Sequence, residues 1–170
     1  MKGQAYSTFG EDRMSERERS LQIDATSSAD IAQAQASALP RLLVIDDDYL
    51  HRKIICRVAA KAGYAPAGAA TYEEAARLAL ETAFDCISLD LSLGQHAGSE
   101  MLQYLRGIGC KAPIIVISGC DDATVRETLK AAKSLNLNIC ESVAKPVDLD
   151  MLRYCLERLR TQHQSAVAAA

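Results

Sequence analysis

Four apolar runs in this 170-residue chain stop at residues whose types could do chemistry together. Leu42-Leu-Val-Ile45 stops at Asp46-Asp47-Asp48, and Cys86-Ile-Ser-Leu89 stops at Asp90. Ile114-Ile-Val-Ile117 stops at Ser118-Gly119, and a run through Val143-Ala144 stops at Lys145-Pro146. Taken singly, each has an ordinary explanation. An aspartate at a strand end commonly caps the next helix, the role expected of Asp48. A lone lysine is a solvated cation and a lone serine a turn residue. Gathered at one sheet edge they are harder to dismiss. Two unit charges 4 Å apart at an effective dielectric of 20 interact by roughly 4 kcal/mol. Asp46, Asp47 and Asp90 therefore repel one another strongly unless cations compensate them. Lys145 supplies one cation, and a hard divalent ion with oxygen ligands, Mg²⁺, supplies the other. Carboxylate, Mg²⁺, ammonium and hydroxyl are the parts needed to handle a phosphoryl group.

These residues meet only if the segments between them fold as strands and helices in alternation. Apolar runs at Leu42–Ile45, Ala65–Ala69, Cys86–Leu89, Ile114–Ile117 and Ile139–Val143 suit buried parallel strands. Helical spacing lies between them. Leu50, Ile54, Ile55, Val58 and Ala62 mark the first helix, with Gly63 at its left-handed cap. Thr71-Tyr-Glu-Glu74 is a capping box opening the second. Ser99–Arg106, closed by Gly107, is a short third, and Asp122–Leu135 a fourth with Val125, Leu129 and Ala132 inward. Asp148 caps a fifth, which carries Leu149, Leu152, Leu156 and Leu159. Five such units imply an α/β fold, a doubly wound five-stranded parallel sheet of order 2-1-3-4-5. Ligands bind such sheets at the carboxyl ends of the strands, where the polar residues fall.

Composition narrows the function classes. Nineteen basic and 22 acidic residues give a net charge of −3, which disfavours nucleic acid as a partner. The longest apolar candidate, Pro113–Ile117, is far too short to cross a membrane, and no secretory signal is visible, so a cytoplasmic protein without membrane partners is expected. Cys56, Cys86, Cys110, Cys120, Cys140 and Cys155 lack metal-site spacing and read as small buried hydrophobes. Residues 1–39 carry few large apolar side chains, Tyr6, Phe9, Met14, Leu21, Ile23 and Ile31 scattered among them, too few to offset roughly 1–2 kcal/mol of ordering entropy per residue. A disordered extension is expected over 1–39, one domain over 40–163 and a frayed tail over 164–170.

The full pattern resembles the receiver domain of two-component response regulators, a flavodoxin/CheY-like fold. Asp46-Asp47, Asp90, Ser118 and Lys145-Pro146 fill the family's five hallmark positions in order, over about Arg41 to His163. The resemblance implies that Asp90 is the phosphoacceptor. It implies Mg²⁺ held by Asp47, Asp90 and the carbonyl of Ser92, with Asp46 acting largely through water. It implies Lys145 on the phosphoryl oxygens, Ser118 as their hydroxyl donor, and a cis Lys145-Pro146 bond. It also implies a sensor histidine kinase or histidine phosphotransferase as donor, and a downstream protein as target. With no output domain visible, the chain reads as a stand-alone regulator that is not an enzyme, apart from slow self-catalysed phosphotransfer and autodephosphorylation.

The chain departs from the family in three places. Leu93-Gly94 replaces the usual Met-Pro and predicts a looser loop. Ser142 stands where an aromatic is usual, which removes the bulky ring that reports the switch. The 26 residues between Ser118 and Lys145 predict a long fourth helix or exit loop. Gly98, eight residues after Asp90, matches the family glycine. Rival readings exist. One is a degenerate receiver used as a docking module, which the full acidic set opposes. Another is a haloacid-dehalogenase-type phosphatase, mimicked by Asp46-x-Asp48, Ser118 and Lys145, whose paired acids on a later strand are missing. A flavin binder fails for lack of a Ser/Thr-rich phosphate loop. His51 is expected on the solvated face of the first helix or against a docked partner, and His96 over the site without a catalytic role. Cys120 is expected to border it.

Overall fold

The computed structural model of the protein describes residues 39–94, 96–119 and 122–168. Its elements are β1 (Arg41–Ile45), α1 (Tyr49–Lys61), β2 (Ala65–Ala69), α2 (Tyr72–Glu81), β3 (Cys86–Asp90), β4 (Ser92–Leu93), β5 (His96–Ala97), α3 (Gly98–Gly107), β6 (Ile114–Ser118), α4 (Asp122–Ser134), β7 (Ile139–Ala144) and α5 (Leu149–Ala168). The principal sheet has the order β2-β1-β3-β6-β7 with all neighbours parallel. Counted among these five strands, that is the expected 2-1-3-4-5 order.

The apolar runs are continuous because both sheet faces are covered. Leu43, Ile45, Ile87, Leu89, Ile114 and Val116 pack with Met101, Leu102 and Leu105 of α3 and Ala75 of α2. Leu42, Val44, Ile115, Ile117 and Val143 pack with Ile55 and Ala59 of α1 and Leu152 and Leu156 of α5. Truncating one of these to alanine, Leu102 for example, costs about 2–5 kcal/mol.

Local signals set the helix starts. Asp48 caps α1 by accepting the His51 N–H at 2.8 Å. Thr71 accepts the Glu74 N–H at 3.2 Å, and the Glu74 carboxylate takes the Ala70 N–H at 2.7 Å. This capping box therefore closes one residue before the cap residue. Asp148 accepts from both Asp150 and Met151 at the head of α5. Gly63 ends α1 at φ +85°, as its sequence position predicts.

Several expectations need correction. Gly107 lies within α3, and the left-handed stop is Gly109, at φ +72°. Leu149 is an exposed first residue of α5, ahead of the inward stripe Leu152, Leu156 and Leu159. The tail expected over 164–170 is helical to Ala168, because nothing in Gln164-Ser-Ala-Val-Ala168 stops a helix, and Ser165 hydrogen-bonds the Thr161 carbonyl. The long spacing before Lys145 is taken up by the 13-residue α4, the turn through Asn136 at φ +60°, and a register shift at Ile114/Ile115. Cys86 and Cys155 are buried, but Cys56, Cys110 and Cys140 are only half-buried. Burial raises the Cys140 thiol to about 11, so it stays protonated at neutral pH. The extension expected over 1–39 lies outside the described residues except for Leu39, and so does Cys120. Among the described residues no helix is long and apolar enough to cross a membrane.

Candidate functional site

The sheet's hydrogen bonds run on past the strands and fix the ends that carry the polar residues. Asp46 N–H bonds the Ala69 carbonyl, Leu91 N–H the Ile117 carbonyl, and Lys145 N–H the Ser118 carbonyl. Asp46, Asp90 and Ser118 are buried at 1%, 2% and 3% exposure, polar groups at the rim of an apolar core. Such groups persist only where they are satisfied.

Asp90 has a donor on each oxygen. The Ser92 N–H bonds Oδ1 at 3.0 Å, and Lys145 Nζ lies 2.5 Å from Oδ2. Lys145 is also 3.4 Å from Asp46 Oδ2. Burial alone would lower the Lys145 pKa. The hydrogen bond and charge of Asp90, with those of Asp46, outweigh that and raise it. Lys145 is thus a fixed cation facing two carboxylates. The Lys145-Pro146 bond is cis.

One oxygen each from Asp46, Asp47 and Asp90 can be taken within 4.8 Å of one another. Three hard oxygen donors in that space suit Mg²⁺. Asp47 is the exposed member, and the other two are buried.

Two side chains from α1 fold back onto the acidic loop. Arg52 Nη1 bonds the Asp46 carbonyl at 2.6 Å and lies 3.4 Å from that of Asp47. To do so its stem crosses Gly68 of β2, where a Cβ would lie 3.2 Å from Arg52 Cδ. The His51 ring hydrogen-bonds Asp46 Oδ2 through Nδ1. The expectation of a solvated His51 is therefore corrected: Asp48, by capping α1, turns its first turn back toward the buried carboxylate.

The loop after Asp90 also differs from expectation. Leu93 ends one arm of a short hairpin, and Gly94 follows it. Ser92–Leu93 pairs antiparallel with His96–Ala97, and Gly94 enters the turn at φ +58°, a conformation that proline cannot adopt. Gly98 closes the hairpin, its N–H on the Leu91 carbonyl at 2.9 Å, and a Cβ there would lie 2.6 Å from Leu91 Cα. At the far strand Ser142 is exposed.

Residues 42–157 match the response regulator receiver domain family. The chain belongs to that family. This receiver domain is 26% identical over 117 residues to the transcriptional regulatory protein ZraR of Salmonella typhimurium, covering 69% of this chain and 25% of that protein. The chain thus spans about a quarter of the length of the curated relatives it matches. Among solved structures it is similar to the Francisella response regulator 1452 receiver domain, at 25% identity and TM-score 0.63 over 73% of this chain and 98% of that one. It is also similar to a response regulator protein from Burkholderia pseudomallei with a phosphorylated aspartic acid, calcium ion and citrate. There the identity is 26% and the TM-score 0.60, over 76% of this chain and 74% of that one. A CheY-like receiver protein from Methanospirillum hungatei shares the fold at 22% identity and TM-score 0.64, over 75% and 99%. Asp148, the first acid after Lys145-Pro146, caps α5.

Proposed function

We propose that this receiver domain accepts a phosphoryl group on Asp90 from a phosphohistidine of a sensor histidine kinase or histidine phosphotransferase, in a Mg²⁺-dependent phosphorelay. One observation carries the reading: a buried aspartate at the end of β3 sits 2.5 Å from Lys145 and within reach of two further carboxylates. The phosphorylated aspartic acid of the Burkholderia pseudomallei relative supports it.

Ionised Asp90 attacks phosphorus in line; the P–O bond forms, the P–N bond breaks, and its electron pair goes to the imidazole nitrogen of the donor. The Ser92 N–H holds the Asp90 carboxylate in one orientation for that attack. Lys145, already at Asp90 Oδ2, follows the charge onto the phosphoryl oxygens. Ser118 at the end of β6 donates its hydroxyl to them. Asp47 and Asp90 would hold Mg²⁺ with the Ser92 carbonyl, Asp46 reaching it through water, and the ion would neutralise charge on the phosphoryl oxygens. Water later hydrolyses the acyl phosphate, so the domain resets itself slowly.

Output is a contact with a downstream protein. Movement of Ser118 toward the phosphoryl group shifts Gly119 and the start of α4, in place of a ring movement at residue 142, which is a serine. A cytoplasmic setting fits this relay.

Incubation with a small phosphodonor and Mg²⁺ should add one phosphoryl group by intact mass. Chelation of Mg²⁺ should prevent it. Full modification in the presence of a chelator would overturn the reading.

A further inference from the structure

The Asp46 carboxylate is buried and accepts from three donors. Oδ1 takes the Asp48 N–H at 2.9 Å, while Oδ2 takes His51 Nδ1 and faces Lys145 Nζ at 3.4 Å. An ionised carboxylate only accepts, so His51 Nδ1 carries the proton it donates. The other ring nitrogen, Nε2, is buried without a hydrogen-bond partner, so the ring's one polar contact among the described residues is Asp46. Lys145 divides itself unequally, at 2.5 Å from Asp90 and 3.4 Å from Asp46.

We propose that His51 is a positioning residue for phosphoryl transfer, occupying Asp46 Oδ2 so that Lys145 stays on Asp90. The proposal rests on the reading of Asp90 as phosphoacceptor. A carboxylate buried to 1% exposure must keep its donors. If His51 is removed, the nearest replacement is the Lys145 ammonium, whose flexible four-carbon stem can close the 3.4 Å gap. Each step of Lys145 toward Asp46 draws it from Asp90, and from the phosphoryl oxygens that would arrive there. His51 thereby assigns Lys145 to the reacting carboxylate, without touching the phosphoryl group.

The test uses the full chain and two substitutions. His51→Leu keeps much of the side-chain bulk and removes the donor. His51→Asn keeps a donor close to the Nδ1 position. At saturating Mg²⁺, His51→Leu should slow phosphorylation by a small phosphodonor, by up to about a hundredfold, the scale of a misplacement of about 1 Å. His51→Asn should recover most of the rate. Wild-type speed in His51→Leu, or equal slowing in both variants, would overturn the proposal, the latter by reducing His51 to packing. A second measurement needs no phosphorylation. Nitrogen-15 spectra of the wild-type chain should show a proton on His51 Nδ1, and the Lys145 ammonium signal should move in His51→Leu and stay in His51→Asn. A bare Nδ1, or an unmoved ammonium in His51→Leu, would also overturn it. If the wild-type chain takes no phosphoryl group at all, the reading of Asp90 has failed, and these spectra still decide the placement of Lys145.

Discussion

The two loops that deliver the carboxylates are fastened in opposite ways. The loop Asp46–Asp48 between β1 and α1 is held by side chains, with Arg52 on its carbonyls, His51 on the Asp46 carboxylate and Asp48 on the helix N–H groups. The loop Leu91–Ala97 between β3 and α3 is held by main chain, through a two-residue hairpin and the close passage of Gly98 over Leu91. The first loop depends on particular donors and tolerates a Cβ anywhere. The second is indifferent to most side chains but has no room for one at Gly98. The site thus joins a loop that is tunable by side-chain substitution to one that is fixed by backbone geometry.

The largest effect should come from Gly98→Ala. Its Cβ would lie 2.6 Å from Leu91 Cα, so main chain has to move, at about 3 kcal/mol. Urea unfolding would read the loss; a variant as stable as wild type would show that the hairpin does not pin the loop. Next comes Arg52→Met, which keeps the stem over Gly68 and removes the charged donor from a nearly buried carbonyl. It should cost about 1.5 kcal/mol, the scale for hydrogen bonds to charged groups, and weaken Mg²⁺ binding by calorimetry. Gly94→Ala should cost about 1 kcal/mol, because φ +58° strains any residue with a Cβ.

The smallest effect is one of pH. The Lys145 pKa is raised in the folded chain by Asp90 and Asp46 against the pull of burial. The stability it contributes is therefore fully present below its ordinary value of about 10.4 and lost as pH rises past that value through the raised one. Lys145→Met should flatten this alkaline decline in thermal unfolding. An unchanged decline would mean that the Lys145 pairs add nothing to stability.

The same comparison explains what was legible in the sequence. Strands buried on both faces read as unbroken apolar runs, so β1, β3 and β6 and the residues at their ends stood out. Asp48 and Thr71 announced their helices because a cap is a local interaction. The hairpin after Asp90 was hidden, since two-residue strands are shorter than any periodicity and Gly94 reads equally as looseness or as a left-handed turn. The His51 bond was hidden as well. It depends on how the capped first turn of α1 is set against β1, which is tertiary geometry. Its one signal was an imidazole in the first turn after a paired acid. The continuation of α5 past His163 was readable from the absence of glycine and proline, but the small residues after Gln164 looked like a tail.

On the proposed mechanism Asp90, and neither of its acidic neighbours, forms the acyl phosphate. Borohydride reduction of the phosphorylated chain, followed by peptide mapping, locates that bond because reduction converts the acylated aspartate to homoserine. Wild type should yield homoserine at position 90, and Asp90→Asn should yield none anywhere. Homoserine at Asp46 or Asp47 in the wild-type chain would contradict it.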